Sequence, residues 1–312
     1  MFLSVVIPAF NENENLRDII GEIKHNIAAS GNITQHEIIV VDDHSSDDSF
    51  DTIQRMTLPG VKCIRLSRRS GSHVALRAGI RAAKGDAVLC ISADGQDHPE
   101  AIGRMVAGYK AGNDIIWALR KKRQEGFSAM LFANFFYNIL KSVTDQEENT
   151  IDLNRADFFM LSHKAADAVN ACNERNTSLF GLLVWLGFKQ DFTEYDRRPR
   201  KKGSSKWSFR SKMHLAKDWI IAFSGIPLKI MTYAGFTIAL CGFLYALFII
   251  LYSLMGYARP GWAETVIITL LLGGIQMIML GIIGEYLWRN LDETRKRPLY
   301  FVEADSSAEE KR

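Results

Sequence analysis

Cysteine is scarce in this chain and is not clustered. Four thiols, Cys63, Cys90, Cys172 and Cys241, are spread over 312 residues with no C-x-x-C. That spacing argues against a zinc site and against a disulfide framework, and leaves reduced, buried thiols as the expectation. Neither G-x-G-x-x-G nor G-x-x-x-x-G-K-[ST] occurs, so the dinucleotide-binding and P-loop readings lose support. With 23 Gly and 7 Pro the composition is not that of a collagen or a linker, and 47% hydrophobic residues are too many for a disordered chain. A formal net charge of +3 gives no general reason to expect a nucleic-acid partner, so any basic feature that matters must be local. Met1 leads straight into Leu3–Pro8 without a basic n-region or a cleavage site, so the first 229 residues are expected to stay in the cytosol.

The distribution of charge is uneven. Ile230–Met255 is 26 residues without one charge, and Thr265–Ile283 is another 19. Each is long enough to cross a bilayer, which needs about 20 residues. Residues 230–288 hold only Arg259, Glu264 and Glu285 as charged groups, which leaves the remainder about 28% charged, close to an ordinary soluble domain. The mean hydropathy of −0.03 is therefore the sum of a polar part and an apolar anchor. Residues 200–229 carry eight basic residues and Arg289, Arg295, Lys296 and Arg297 follow the second run, whereas the intervening segment has only Arg259. By the positive-inside rule both ends lie in the cytoplasm, with Trp262 and Trp288 near the interfaces. Met213, Ala216, Trp219, Ile220 and Phe223 recur at helical spacing among Lys212, Lys217 and Asp218. This reads as a helix on the membrane surface or, equally on periodicity, as an amphipathic core helix. Glu285 sits just inside the second run, where a carboxylate is costly; Arg289 one turn on is a candidate partner, and interfacial solvation is the alternative.

The first part alternates short apolar runs with helical patterns. Strands are expected at Leu3–Ile7, Glu37–Val41, Lys62–Leu66, Ala87–Ile91 and Asp114–Leu119, and helices from Glu14, Ser72, Pro99 and Phe127. Such alternation implies a mostly parallel sheet covered on both faces, with ligands bound beyond the carboxyl ends of its strands. Polar clusters follow three of the runs: Pro8-Ala9-Phe10-Asn11-Glu12, Asp42-Asp43-His44-Ser45-Ser46-Asp47, and Ser92-Ala93-Asp94-Gly95-Gln96-Asp97-His98-Pro99. Converging carboxylates need a cation or hydrogen-bond donors among them, and a metal together with a nucleotide would supply both. Read singly, Asn11, Asp43, Ser45 and Asp94 are equally good helix N-caps.

Taken together, the motifs S-V-V-I-P-A-F-N-E-N-E-N-L, V-V-D-D-H-S-S-D, A-D-G-Q-D-H-P-E, A-D-F-F-M-L around Asp157, N-E-R-N at Asn173–Asn176, R-K-K-G-S-S-K-W from Arg200 and the closing G-G-I-Q-M-I-M-L-G-I-I-G-E-Y with T-R-K-R-P mark a family. The chain resembles, almost end to end, family 2 glycosyltransferases of the polyprenyl-phosphate type, which include bactoprenol glucosyltransferases, aminoarabinose transferases and dolichyl-phosphate mannose synthase. The resemblance implies a GT-A fold, that is, a Rossmann-like α/β domain with a mostly parallel sheet, followed by C-terminal transmembrane helices. It also implies a nucleotide sugar donor, Mg²⁺ or Mn²⁺, a polyprenyl phosphate acceptor, a lipid bilayer, a homo-oligomer and inversion at the anomeric carbon. Carried over by position, Pro8, Ala9, Glu12, Asp42 and Asp43 line the nucleoside site. Asp94 and Gln96, with Ser92, match metal and diphosphate contacts. Arg120, Arg200 and Lys206 match positions that hold phosphate, the last two doubling as a membrane-facing basic patch. Asp157 matches an acidic position with a catalytic role, or else is an edge-strand Asp with a structural hydrogen bond. Ser92 stands where the family usually has its first Asp, leaving one charged ligand instead of two. His44, Arg69 and His98 stand for a usual Gly, Asn and Pro, and a positive φ at His44 would carry strain.

The expected organisation is a GT-A domain over 1–204, a juxtamembrane helical region over 205–229, two spans over about 230–255 and 265–287 within 230–288, and a cytoplasmic tail over 289–312. The expected activity moves one sugar from a UDP-linked donor to undecaprenyl phosphate at the inner face of a bacterial plasma membrane, supplying a lipid-linked monosaccharide for cell-envelope modification. Two rivals are a catalytically weakened membrane subunit, suggested by Ser92, and a processive polysaccharide synthase, disfavoured because no Q-x-x-R-W occurs.

Overall fold

The five apolar runs form the strands that carry the rest of the chain. The computed structural model describes residues 1–56, 58–121, 155–175, 177–196, 226–255 and 261–306. Its first unit, by contact, comprises Met1–Leu215 with Pro298–Arg312; the second is Ala216–Arg297. In chain order the first unit holds β1 (Phe2–Ala9), α1 (Asn13–Ala29), β2 (Gln35–Asp42), α2 (Ser49–Arg55), β3 (Val61–Leu66), α3 (Ser72–Ala82), β4 (Ala87–Cys90), a 3-10 turn (Pro99–Ala101) running into α4 (Ile102–Lys110), β5 (Ile115–Arg120), β6 (Ala156–Ser162), α5 (His163–Ala171), α6 (Leu179–Trp185) and β7 (Gln190–Tyr195). The second unit holds α7 (Ile226–Leu254) and α8 (Trp262–Thr294), after which β8 (Val302–Asp305) returns to the first.

Among the described residues one eight-stranded sheet results, in the order β7-β5-β6-β4-β1-β2-β3-β8. β1 pairs in parallel with β2 and β4, β2 with β3, and β5 with β7; β6 and β8 run antiparallel to their neighbours. This is the mostly parallel α/β sheet expected. β6 lies between β4 and β5, so the alternative that placed Asp157 on an edge strand is corrected: β7 and β8 are the edges. Residues of β1 alternate between the two faces. On one face Leu3, Val5 and Ile7 meet Leu16, Ile19, Ile20, Ile23 and Ile27 of α1, all buried, each worth about 1.5–3 kcal/mol in removal from water. On the other, α3 approaches so closely that a Cβ on Gly79 would lie 2.2 Å from Val6 Cγ1 and 3.1 Å from Val41 Cγ2. Only glycine fits that crossing.

Cys63 and Cys90 are free and buried, and burial pushes both thiols up. Cys172 is half-buried, and Cys241 departs from the expectation of burial because it lies exposed on α7, outside any core. α7 and α8 contain apolar segments, Ile230–Tyr252 and Ile267–Thr294, long and apolar enough to cross a membrane, with mean hydropathies of 2.3 and 2.2. Their large apolar side chains are exposed all round, including Phe236, Phe243, Ile250, Leu271 and Leu280. Such helices need an apolar medium or partner. Glu285 is paired with Arg289, Nε to Oε1 3.5 Å, one turn on as the spacing suggested.

Candidate active site

Parallel strands aligned in register deliver their carboxyl ends to one edge of the sheet. Ala9 is level with Asp42 across β1 and β2, and Val6 with Cys90 across β1 and β4, so the loops after β1, β2 and β4 emerge side by side. β6 enters from the opposite direction, which puts its first residues, including Asp157, at the same edge beside the end of β5 and Arg120.

The first two loops are knitted together by main-chain and side-chain bonds. Asp43 N donates to Ala9 O at 2.9 Å, Asn11 N to Ser45 Oγ at 2.9 Å, and Ser46 N to Asn11 Oδ1 at 2.9 Å. Asn11 adopts φ +54, a conformation that asparagine tolerates better than most residues. Pro8 and Ala9 end β1, and Glu12, just before α1, accepts from Asn15 Nδ2 through Oε2 at 2.7 Å. Asp43 is buried and takes the amides of Ser70 and Gly71 on its two oxygens, at 2.6 and 2.8 Å, so it fixes the loop that starts α3. Burial raises its carboxyl above the usual range, aided by the charge of Asp42 and opposed by these amides and Arg69. Arg69 lies over the Phe10 ring at 4.0 Å, joining the loop after β3 to that after β1. Asp42, 1% exposed, accepts from Ser45 N at 3.1 Å through Oδ1, while its Oδ2 has no hydrogen-bond partner among the described residues and lies 3.6 Å from Arg65 Nη1. His44 does adopt a positive φ, +58, and its Nδ1 lies 3.2 Å from Leu66 O.

The third loop has its own centre. Ser92 Oγ lies 2.8 Å from Asp94 Oδ1 and 2.6 Å from Asp97 Oδ2, and Ser92 N donates to Asp97 Oδ2 at 2.9 Å. A hydroxyl carries one proton, so it can satisfy only one of two carboxylates at a time; the second short contact calls for a further proton or a cation. Asp94 Oδ1 also accepts from Gln96 N at 3.1 Å, across the turn made possible by Gly95 at φ +69. Asp97 is 2% exposed and accepts from Tyr195 OH at 3.3 Å, tying this loop to the end of β7. Among the described residues no group of three or more His, Cys, Asp or Glu is arranged to hold a metal by itself.

The N-cap alternative is not met for the first two loops. The N-cap of α1 is Glu12 and that of α2 is Asp48, neither with a side-chain cap bond, and Asn11 and Ser45 bond each other's loops instead. Arg120 ends β5, with its main chain paired to Arg155. Arg200 and Lys206 lie outside the described residues, as do the helices expected from Phe127 and over Met213–Phe223. Asp97, Arg65 and Tyr195 were not singled out from sequence. The one available signal for Asp97 was a second acid within six residues of Ser92, just ahead of Pro99.

Residues 4–170, more than half of the chain, match Glycosyl transferase family 2. The chain is a family 2 glycosyltransferase. This glycosyltransferase is 38% identical over 304 residues to an uncharacterized glycosyltransferase of Synechocystis sp., covering 96% of this chain and 94% of the relative. It is 33% identical to the prophage bactoprenol glucosyl transferase homolog of Escherichia coli, with 97% and 98% covered, and 31% identical to the bactoprenol glucosyl transferase of Shigella phage SfX, with 97% and 99% covered. Among solved structures, one described as a mycobacterial protein superposes with a TM-score of 0.50 at 16% identity over 71% of this chain and 74% of that one, a likeness of fold alone.

Proposed function

We propose that this glycosyltransferase transfers a single sugar, with inversion, from a UDP-linked donor to a polyprenyl phosphate at the cytoplasmic face of a membrane. The observation that carries the reading is the extent of the likeness to relatives named bactoprenol glucosyl transferase: it covers 97% of the chain, the apolar hairpin as well as the polar sheet edge. A sugar-transfer domain joined to two bilayer-length helices suits an acceptor that is itself held in the bilayer.

The residues fit the chemistry in a specific way. A phosphate monoester is mostly ionised at pH 7, so the acceptor needs orientation and charge compensation more than it needs a base. Arg120 at the end of β5, with Arg200 and Lys206, would hold phosphate oxygens, and Asp157 would orient the acceptor. Pro8, Ala9, Glu12, Asp42 and Asp43 would border the nucleoside, whose N–H and O–H groups can donate to carboxylates there. Asp94, Gln96 and Ser92 would hold a divalent cation, Mg²⁺ or Mn²⁺. The donor set is poor in charge and therefore suits an ion that takes most of its oxygens from water and donor phosphates. When bound, such an ion neutralises charge on the departing diphosphate. The short contacts of Ser92 Oγ to two carboxylates support a cation at this point.

The sheet supports one reading of how the two apolar helices would lie. β7 precedes α7 and β8 follows α8, yet both belong to one sheet, so if the hairpin crosses a membrane its two flanks lie on the same side. With the basic flanks this supports a cytoplasmic placement of both. A homo-oligomer is part of the same proposal and is read by light scattering of the detergent-solubilised protein.

The deciding experiment supplies purified protein with undecaprenyl phosphate, a panel of radiolabelled nucleotide sugars, and Mg²⁺ or Mn²⁺. A chloroform-soluble product labile to mild acid is expected. No transfer from any donor would overturn the proposal in favour of a weakened membrane subunit, and a long water-soluble polymer would favour a processive synthase.

A further inference from the structure

Beyond α8 the chain turns at Lys296, φ +47, and returns to the sheet as β8. β8 pairs antiparallel with β3, Ile64 opposite Asp305 and Arg65 opposite Ala304, and the pairing is extended by Ser67 N to Phe301 O at 2.9 Å and Cys63 N to Ser306 Oγ at 2.8 Å. Without it β3 would be an open edge. Apolar burial does not explain the docking, because Phe301 and Val302 remain exposed. Polar contacts do. Glu303 Oε2 lies 3.1 Å from Arg65 Nε and 3.4 Å from His44 Nδ1. Arg65 in turn donates through Nη2 to Ser45 O at 3.2 Å, lies 3.6 Å from buried Asp42, and covers the Phe50 ring at 5.6 Å. Tyr300, half-buried, lies near the guanidinium groups of Arg77 and Arg81 on α3, the helix whose start Asp43 fixes.

Arg65 is thus shared between the edge proposed to take the nucleoside and a strand that follows the two apolar helices in sequence. Asp42 Oδ2 depends on it, since Oδ2 has no hydrogen-bond partner among the described residues. Shifting Arg65 leaves a buried carboxylate poorly compensated, and the Asp42–Ser45 turn loses the bond that Arg65 makes to Ser45 O. We infer that residues 298–306 are a tether whose docking on β3 supports nucleotide binding, with Glu303 as a positioning residue for Arg65 and His44. The inference rests on the reading that the Asp42–Asp43 edge binds the nucleoside. Coupling of this kind is reciprocal: if the docked tether tightens nucleotide binding by some factor, bound nucleotide must favour docking by the same factor.

The test uses the full chain in detergent micelles, with UDP and, in parallel, GDP as probes, each with Mn²⁺. Glu303→Gln is expected to weaken binding of the preferred nucleotide about two- to fivefold, as befits a partly exposed ion pair. Transfer at saturating donor should stay within about twofold of the parent, because Glu303 touches no reacting group. In the unmodified chain, saturating nucleotide should slow amide exchange at residues 301–306 by a matching factor. Asp43→Asn serves as the control for the edge itself. If Asp43→Asn weakens binding while Glu303→Gln does not, and exchange at 301–306 is indifferent to nucleotide, the tether is refuted and the edge stands. If neither nucleotide binds, or Asp43→Asn binds as well as the parent, the edge reading falls and the tether with it. Should Glu303→Gln melt the whole domain, the exchange measurement on the unmodified chain decides alone.

Discussion

Replacing Ser92 by aspartate, the acid that the resemblance leads one to expect there, should be harmful until a cation is supplied. Ser92 Oγ sits 2.8 Å from one carboxylate oxygen and 2.6 Å from another, the second on a residue only 2% exposed. Ser92→Asp removes a hydrogen bond to a charged acceptor, worth about 1.5–3 kcal/mol, and adds a third carboxylate to the pair. Like charges about 4 Å apart repel by about 4 kcal/mol each at an effective dielectric of about 20. Uptake of a proton limits the loss, so a net cost of about 3 kcal/mol is expected in EDTA at neutral pH. For a unit of this size that is a fall in melting temperature of about 6–12 °C. Thermal unfolding of the full chain in EDTA and in millimolar Mn²⁺ reads it directly. The variant should recover most of the loss in Mn²⁺, the parent should change less, and transfer by the variant should reach half its maximum at lower Mn²⁺. Equal melting temperatures of parent and variant in EDTA, or a deficit that Mn²⁺ leaves untouched, would refute the reasoning.

Other changes separate the site from the scaffold. Asp94→Asn is expected to abolish transfer with little change in melting temperature, and full activity in a radiolabel assay would remove Asp94 from the proposed cation site. Gly79→Ala should destabilise by about 1–3 kcal/mol, since the overlap with Val6 outweighs a gain of about 1 kcal/mol in helix propensity; a neutral or raised melting temperature would contradict the tight crossing. His73 accepts from Leu179 N at 3.0 Å through Nδ1 and packs against Phe180, and burial lowers its pKa from 6.5 to about 4. His73 is partly exposed, so solvent moderates the effect, while its accepting nitrogen stays engaged. A lowered value means that the stability from the neutral ring is complete above pH 6.5 and is lost as pH falls through about 4, by about 2–3 kcal/mol. Melting curves across that window should slope less in His73→Gln, and an unchanged slope would exclude His73 as their source.

The parallel half of the sheet was legible because β1, β4, β5 and the second half of β2 are buried and appear as apolar runs, while β3 keeps Cys63, Ile64 and Leu66 buried beside Lys62 and Arg65. β7, Q-D-F-T-E-Y, and β8, V-E-A-D, were not, because edge strands need no apolar run and their pairing is decided by partners far off in sequence. β6 was noticed only as the stretch around Asp157, and its position inside the sheet depends on a reversal that no local pattern records. At the candidate site the strand-end clusters told where to look; the positive φ at His44 was suggested by the glycine that the resemblance puts there, and the Glu285–Arg289 pair was one of two readings of the spacing, beside interfacial solvation. Asp97 and Arg65 were not, since an acid among acids and an arginine within a strand acquire meaning only from what the fold places against them.

The β3–β8 pairing also sets an order of events during synthesis. Cys63 and Ser306, joined by a hydrogen bond, are 243 residues apart. At about 5–20 residues per second, a ribosome needs about 12–50 s to make the stretch between them. Throughout that interval β3 is an unpaired edge, and it can be closed only after both apolar helices have been translated. A chain cut short anywhere before residue 302 would therefore keep an unpaired strand edge on display, the kind of edge that invites pairing with other chains.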